Sequence, residues 1–519
     1  MVEFGNESLK GIVKGTLAAS IGLFVSLALT FLSRIIVARY VAVSEYGLFS
    51  LALTMSEILA LISTFGLQQG APRYIAYFRA KDERSKVNNI IVLSVQFVLI
   101  ISIPLSLLVF LAAGPIATNF FHNPELIFPL KMFALGVPFL ALIRVTTSIY
   151  RGFDRIDVKI YFDDLSRSVL FPLLLAIVIV CGLSFRGIIY AYPLSLAITL
   201  IALVIYSIRK TPWHLGSLKL KGENPAPLRK ELFFFCLPLL GALILATIRS
   251  YSSMILLGYF KTPLLVGLYG AASPLAEFML ATSTAMSLIY VPITSGLYAK
   301  GLMAELRRNY TILVKWMVAV SLPLFLVLVL FPETVLNFVF GATYIPAAAA
   351  LRILSLGFFI ANLLGLASFS LLIIGRPRLM MWALLAAAGV GVVLGITLIP
   401  PLGLVGAAIA GAISVVVAEI ICSVQFYMLT KAQPLSKNLL KPIAVSLALV
   451  AIIYLVTTSF FNITFWMLPI LFIVFYLVYA VAMLLTRSFD QEDIAMLLEI
   501  EKMLRIDATV VKKVIRRFL

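Results

Sequence analysis

Long apolar runs recur along the whole chain, and they constrain its fold more than any other feature. A helix needs ~20 apolar residues to cross the hydrocarbon of a bilayer. Of the 519 residues, 62% are hydrophobic and only 12% are charged. The sequence therefore predicts an all-α polytopic membrane protein with about fourteen transmembrane helices. The predicted spans are 12–38, 47–69, 88–112, 126–150, 165–183, 187–208, 232–258, 265–290, 310–331, 347–374, 379–399, 403–430, 439–459 and 464–486.

Basic residues collect in alternate loops, and this pattern sets the predicted orientation. The loops at 70–87, 151–167 and 209–231 are rich in lysine and arginine, whereas the loops between them are short and nearly uncharged. Basic loops face the cytoplasm by the positive-inside rule. We therefore expect a multi-pass protein of the cytoplasmic membrane with both termini in the cytoplasm. The net charge of +18 is then a topology signal, and no nucleic-acid partner is expected.

A repeat relates the two halves of the chain. Sliding the sequence by 220 residues matches a turn glycine, an intramembrane glutamate and a proline, and a shift of 221 continues the match further on. Six predicted helices separate the copies, so both have the same orientation, as in parallel-repeat transporters. We predict two pseudo-symmetric six-helix bundles followed by two further helices. The matched pairs include Gly47/Gly267, Glu57/Glu277, Pro72/Pro292, Lys131/Arg352 and Gly136/Gly357.

These observations divide the chain into five predicted segments. The tail repeats apolar residues at helical spacing and ends in a basic cluster, which is typical of an amphipathic helix on an anionic membrane surface. Packing of that helix on the bundle is the alternative. The segments are a six-helix bundle at 1–210, a cytoplasmic linker at 211–231, a second six-helix bundle at 232–430, helices thirteen and fourteen at 431–488, and the tail at 489–519.

Three arginines fall inside predicted helices, where a charge is costly and by default marks a functional site. On the first helix Arg34 shares a face with Thr30. On the seventh, Arg249 shares a face with Ser253, and Arg144 lies on the fourth helix. Arginine stays charged and donates paired hydrogen bonds to phosphate oxygens. We therefore predict that these five residues bind an anionic substrate in a cavity between the bundles.

Two glutamates, Glu57 and Glu277, lie ~15 Å into their helices, near the predicted midplane. They leave an alternative open, in which Arg34 pairs with Glu57 and Arg249 pairs with Glu277, and the charges only satisfy one another. A third option is that the glutamates take up a proton or bind a cation, H⁺ or Na⁺, that couples transport to a gradient.

Catalysis is not expected. The three cysteines and two histidines lack metal-ligand spacing, and no nucleophile–base set is visible. The predicted outer loops are too short to build the catalytic loop of a membrane-embedded sugar polymerase or ligase. We therefore expect no enzyme activity, no metal and no cofactor other than a coupling cation.

Several short segments resemble the Wzx-type polysaccharide flippases. This family belongs to the multidrug/oligosaccharidyl-lipid/polysaccharide exporter superfamily, which also contains multidrug antiporters and peptidoglycan-precursor flippases. The resemblance covers roughly residues 8–430. The segments that carry it are Arg34 through Tyr40, Glu45-Tyr46-Gly47-Leu48-Phe49, Gly66-Leu67, Arg73-Tyr74-Ile75-Ala76, Arg151-Gly152-Phe153 and residues 400–410.

The resemblance implies two bundles around a cationic cavity that alternates between the two sides of the membrane. It implies a flippase for an oligosaccharide linked to an isoprenoid phosphate, with arginines on helices one and seven. The implied partners are the lipid-linked sugar, membrane lipids and the enzymes that assemble the glycan. The alternative is a cation-coupled small-molecule or multidrug exporter of the same fold, whose cavity should present acids and aromatics instead of net positive charge.

Overall fold

A computed structural model of the chain describes residues 22, 24–210, 226–433 and 477–479, and the structural statements below concern these residues. The described part is almost entirely helical and contains no strand. A π-helical segment, Lys159–Ser166, joins α6 to α7, and another, Ile116–Phe120, continues α4. The helices are α1 (24–40), α2 (Val43–Thr64), α3 (Leu67–Ala80), α4 (Arg84–Pro115), α5 (Ile127–Arg151), α6 (Ile156–Val158), α7 (Arg167–Val180), α8 (Phe185–Lys210), α9 (Ala226–Phe260), α10 (Pro263–Ala299), α11 (Met303–Leu330), α12 (Pro332–Val339), α13 (Ala348–Leu364), α14 (Ala367–Ile373), α15 (Pro377–Leu402) and α16 (Leu404–Thr430).

Within the described residues, the predicted spans from the first to 403–430 lie mostly on helices. Within the described ranges, ten helical stretches are long and apolar enough to cross a membrane. The all-α, multi-pass architecture is therefore confirmed. The last two predicted helices, 439–459 and 464–486, and the predicted tail, 489–519, lie outside the described residues, so the count of fourteen stays a prediction.

The described chain divides into two compact units at Gly267. The first unit contains α1 to α9 and the first turn of α10, and the second contains the chain from Leu268 onward. α9 packs within the first unit against α2 and α3. This division does not test the boundaries of the five predicted segments, which stay predictions.

The predicted loop at 70–87 is mostly helix. α2 ends where Phe65 and Gly66 take left-handed backbone conformations, and α3 then runs to Ala80, so a three-residue turn is all that precedes α4. Charges on the exposed face of α3 gave this segment the composition of a loop. Its opposite face packs into the core between α4, α5 and α9. That buried face consists of Leu67, Gly70, Ala71, Ile75 and Phe78.

The first turns of α2 and α10 meet through two glycines that the repeat matches. A Cβ on Gly47 would overlap the carbonyl oxygen of Pro263, and a Cβ on Gly267 would overlap that of Val43. Pro263 follows Val43 by 220 residues, as Gly267 follows Gly47. The contact is therefore reciprocal. Because all four residues belong to the first unit, it supports the register of the sequence repeat there.

The segment Glu45–Phe49 contains Gly47 and lies at the start of α2, where this contact is made. The Glu45 carboxylate accepts a hydrogen bond of 3.1 Å from the backbone N–H of Ala42, which caps the start of α2. Tyr46 and Phe49 are almost completely buried. These residues therefore fix the entry of the chain into α2, and the segment serves the fold.

In the second unit, the predicted span 347–374 is broken in its middle. α13 ends at Gly365, which has a φ of 90°, and α14 begins at Ala367. The carbonyl oxygen of Leu364 at the break accepts hydrogen bonds from Tyr310 Oη at 2.9 Å and Ser423 Oγ at 2.8 Å. A broken helix at membrane depth requires such partners, because hydrocarbon offers none.

Candidate functional site

In the first unit, Glu57 is held by two arginines. Arg144 Nη2 on α5 lies 2.5 Å from one carboxylate oxygen of Glu57, and Arg167 Nη1 at the start of α7 lies 3.5 Å from the other. The side chains of Arg144, Glu57 and Arg167 are 16%, 22% and 25% exposed, so the group is mostly buried but still partly accessible. In the alternative in which the charges satisfy one another, Glu57 was to pair with Arg34; its ion pairs are instead with Arg144 and Arg167.

Arg34 lies beside this group. It is half-buried on α1 and interacts electrostatically with Glu57 and Tyr46. Arg34 makes no hydrogen bond or ion pair with the part of the chain that the structure describes. Its donors are therefore not used by hydrogen bonds or ion pairs among the described residues. We call Arg34, Arg144 and Arg167, together with Glu57, the arginine cluster.

The arginine cluster carries an excess of positive charge. Three guanidinium groups face one carboxylate, which leaves two positive charges, and Asp163, which also interacts with Arg144, lowers this excess to one. Cationic groups at membrane depth attract an anion strongly, because little water screens them. The cluster suits an anionic group with several oxygens, to which arginines can donate in pairs.

Aromatic rings lie next to the cluster. Tyr192 on α8 interacts electrostatically with Glu57, Arg144 and Arg167. Its ring stacks on Phe133 at 4.5 Å between centroids and meets Phe171 edge-on at 5.7 Å. This packing holds α5, α7 and α8 together and gives the cluster a rigid side.

The polar stripe of α1 faces the start of α7. Ser26 Oγ donates to the carbonyl oxygen of Asp164 at 2.8 Å, and the hydroxyls of Ser26 and Thr30 lie 2.9 and 3.1 Å from Ser168 Oγ. Lys159 Nζ contacts both carboxylate oxygens of Asp164, at 3.0 and 3.1 Å. Burial raises the pKa of the Asp164 carboxyl, and Lys159 opposes this shift. Thr30, an expected substrate contact, thus helps to dock α1 onto α7, although its side chain is still exposed.

The residues expected on the seventh helix lie on α9. Arg249 is half-buried, and Ser253, one turn further on, is 3% exposed. Ser253 is therefore closed to a ligand in this structure. Arg249 and Glu277 belong to different units, so their pairing stays a prediction.

The second unit surrounds its glutamate differently. Glu277 is exposed and accepts a hydrogen bond of 2.8 Å from Ser273 on its own helix. No lysine or arginine described in the second unit pairs with it. The polar centre nearby is Asn362, which is buried and donates to the carbonyl oxygen of Met279 at 2.8 Å.

Three residues of these sites were not predicted. The sequence places Arg167 in a basic loop, because it stands just before an apolar run. Its ion pair joins helices that are distant in the chain, and the pattern of a single helix does not show such a contact. Lys315 on α11 is 5% exposed. A lysine inside a predicted span is unusual, and this could have identified it as a candidate. Asn362 gave no signal, because a lone amide is common in helices. No group of three metal-ligating side chains occurs among the described residues.

Known structures share this fold. The lipid II flippase MurJ in an inward closed conformation has a TM-score of 0.67 and 17% identity, over 89% of this chain and 97% of that chain. An inward-facing multidrug resistance MATE family transporter of the MOP superfamily has a TM-score of 0.65 and 17% identity, over 78% of this chain and 95% of that chain. An uncharacterized membrane protein of Methanocaldococcus jannaschii is 24% identical over 426 residues, which are 76% of this chain and 80% of that protein.

The helical architecture and its ten long apolar helices among the described residues thus define a polytopic membrane protein. The sequence profile of the family described as polysaccharide biosynthesis protein matches residues 12–298, more than half of the chain. The chain belongs to that family. The resemblance seen in the short motifs is confirmed.

Proposed function

We propose that the protein is a flippase that moves an oligosaccharide linked to an isoprenoid phosphate from the inner to the outer leaflet of the cytoplasmic membrane. In this proposal both termini are cytoplasmic, the protein alternates access between the two sides, and it catalyses no covalent reaction. The family description and the likeness to a lipid II flippase support this class of substrate.

The observation that carries the proposal is the positive charge of the arginine cluster. A lipid-linked sugar is held to its lipid by phosphate, which stays anionic while it crosses the hydrocarbon. Arg34 has no hydrogen bond or ion pair with the described residues, and Arg144 and Arg167 stand within 3.5 Å of a carboxylate whose oxygens resemble those of a phosphate. An exporter of cationic drugs needs the opposite polarity in its site.

In the proposed cycle the arginines hold the phosphate, and the lipid tail remains in the bilayer. Arg34 and Arg249 contact the phosphate, and Arg144 extends the cationic surface. Thr30 and Ser253 supply hydroxyls beside Arg34 and Arg249, and Ser253 becomes accessible in another conformation. The protein thereby lowers the cost of moving a charged, hydrated head through hydrocarbon.

Transport by proteoliposomes tests this function. Arg249→Ala should abolish translocation of a lipid-linked oligosaccharide, measured as access of the sugar to an added glycosidase, while the protein still folds and inserts. Arg352→Ala is the matched control, since it removes an arginine whose exposed ion pair with Glu333, at 2.9 and 3.1 Å, is remote from the site in sequence and contributes little. Near-normal transport by the Arg249 variant would refute the cationic site.

A cation-coupled small-molecule exporter is the second candidate, because Glu277 is exposed and a MATE transporter shares the fold. In either candidate, H⁺ or Na⁺ bound at Glu277 would couple transport to a gradient, with Glu57 as the other coupling candidate. Glu277→Gln should remove the gradient dependence, measured as uptake with and without an imposed gradient. Unchanged dependence excludes Glu277 from coupling. Enzymes of glycan assembly are the proposed protein partners.

A further inference from the structure

The two glutamates of the repeat have opposite surroundings. Glu57 is held by Arg144 and Arg167, whereas Glu277 receives one hydrogen bond from a serine of its own helix. The repeat aligns the two glutamates at the same distance along their helices. The ion pairs of Glu57 are therefore a property of the first unit and are not required by the shared backbone.

The pairs of Glu57 are arranged so that another anion could replace it. The contact with Arg144 is close at 2.5 Å, but the contact with Arg167 is loose at 3.5 Å. The side chains of all three residues are between 16% and 25% exposed, which leaves a route to the guanidinium groups. Two guanidiniums offer more donors than one carboxylate uses, because each has five N–H groups.

We propose that Glu57 is a built-in counter-ion, which occupies Arg144 and Arg167 when the site is empty and is displaced from them by the phosphate or diphosphate of the substrate. This inference rests on the proposed function and deepens it. Arg34, which forms no ion pair among the described residues, makes the first contact with the incoming anion. Arg144 and Arg167 then exchange the carboxylate for phosphate oxygens.

Such an exchange has a physical advantage over a site of bare arginines. Two arginines without a counter-ion are costly at membrane depth, and they would hold a diphosphate too tightly to release it. A carboxylate that competes for the same donors lowers the affinity for the anion and refills the site as the anion leaves. Each transport cycle therefore begins and ends with a satisfied site.

Anion binding to the purified full-length protein tests the inference. Inorganic pyrophosphate and farnesyl diphosphate are the probes, with binding measured by titration calorimetry in detergent. Glu57→Gln removes the competing charge and keeps the shape, so both probes should bind about tenfold more tightly than to the unaltered protein, at the low end of what close charge pairs contribute. Glu333→Gln is the matched control, because it also removes the carboxylate of an arginine pair, and it should leave both affinities unchanged.

A second measurement, of thermal stability, tests the inference even if Glu57→Gln destabilises the protein. Without its carboxylate, the arginine cluster is overcharged, so the apparent Tm of Glu57→Gln should fall and should be restored by millimolar pyrophosphate but not by chloride of equal ionic strength. Adding Arg144→Gln to this variant should remove both the tight binding and the rescue. Affinity that is no higher in Glu57→Gln, or an equal gain in Glu333→Gln, overturns the inference even if the protein flips lipid-linked sugar. Tighter binding without flipping sustains the inference and rejects the proposed function.

Discussion

The reciprocal glycine contact allows a sharp test of the repeat. Gly47 and Gly267 each lie against a carbonyl oxygen, of Pro263 and of Val43, and neither position has room for a Cβ. Gly47→Ala would therefore force the first turns of α2 and α10 apart by about 1 Å, a gap that forfeits roughly a quarter to a half of the dispersion energy of the atoms concerned. Carbonyl oxygens belong to the backbone and cannot rotate away as a side chain would.

The expected cost of Gly47→Ala is about 2 kcal/mol. Overpacking costs about 1–3 kcal/mol, and replacing glycine by alanine within a helix returns up to about 1 kcal/mol. The loss should appear as a fall of roughly 2–5 °C in the apparent Tm of the detergent-solubilised protein, measured by intrinsic fluorescence. Gly267→Ala should cost a similar amount, since the contact is reciprocal.

The double variant, Gly47→Ala with Gly267→Ala, tests whether the two glycines share one contact. Once one alanine has separated the helices, the second finds part of its space already open, so the two losses should sum to more than the loss of the double variant. Gly389→Ala is the control, because a Cβ there would meet no atom within 4 Å, and it should leave the Tm unchanged or raise it slightly. Strictly additive losses, or an unchanged Tm for Gly47→Ala, would refute the contact.

Two further predictions concern the polar groups inside the helices. Arg144→Gln leaves Glu57 with Arg167 at 3.5 Å, so it should destabilise the protein by about 1–3 kcal/mol, and adding Glu57→Gln should recover part of the apparent Tm. Tyr310→Phe and Ser423→Ala each remove one of the two hydrogen bonds to Leu364 at the helix break. Each should cost about 1 kcal/mol, and the pair should cost more than their sum because the buried carbonyl is then left without these partners; equality with the sum in the same Tm assay would contradict this.

The helices could be predicted because membrane depth fixes their length and composition. The predicted span 310–331 falls inside α11 (Met303–Leu330) to within one residue at its end, and 403–430 matches α16 almost completely. The failures occur where composition and structure disagree. α3 carries arginines at 73 and 79 on an exposed face and was therefore assigned to a loop, and the break at Gly365 lies in an unbroken apolar run.

The site could be predicted as single residues but not as pairs. Glu57 and Arg144 were candidates because each is a charge in an apolar run. Their contact spans 87 residues, and periodicity within one helix gives no information about which helix lies opposite. The role of Arg167 could not be predicted for the same reason, since its ion pair is with Glu57 on α2, which lies more than 100 residues earlier in the chain.

The two halves of the repeat align in sequence, but the charged residues around their matched glutamates differ. The positions 221 residues beyond Arg144 and Arg167 hold Gly365 and Ala388, so the second unit has no arginine at either corresponding position. At the first of these positions the helix is broken, and the hydroxyls of Tyr310 and Ser423 donate hydrogen bonds to the neighbouring Leu364 carbonyl oxygen. A symmetric transporter of a symmetric substrate would gain nothing from this difference. The divergence of the two units therefore suits the substrate that we propose, whose anionic head and long apolar tail differ: in this proposal the first unit holds the anion, and Glu277 of the second unit binds the coupling cation.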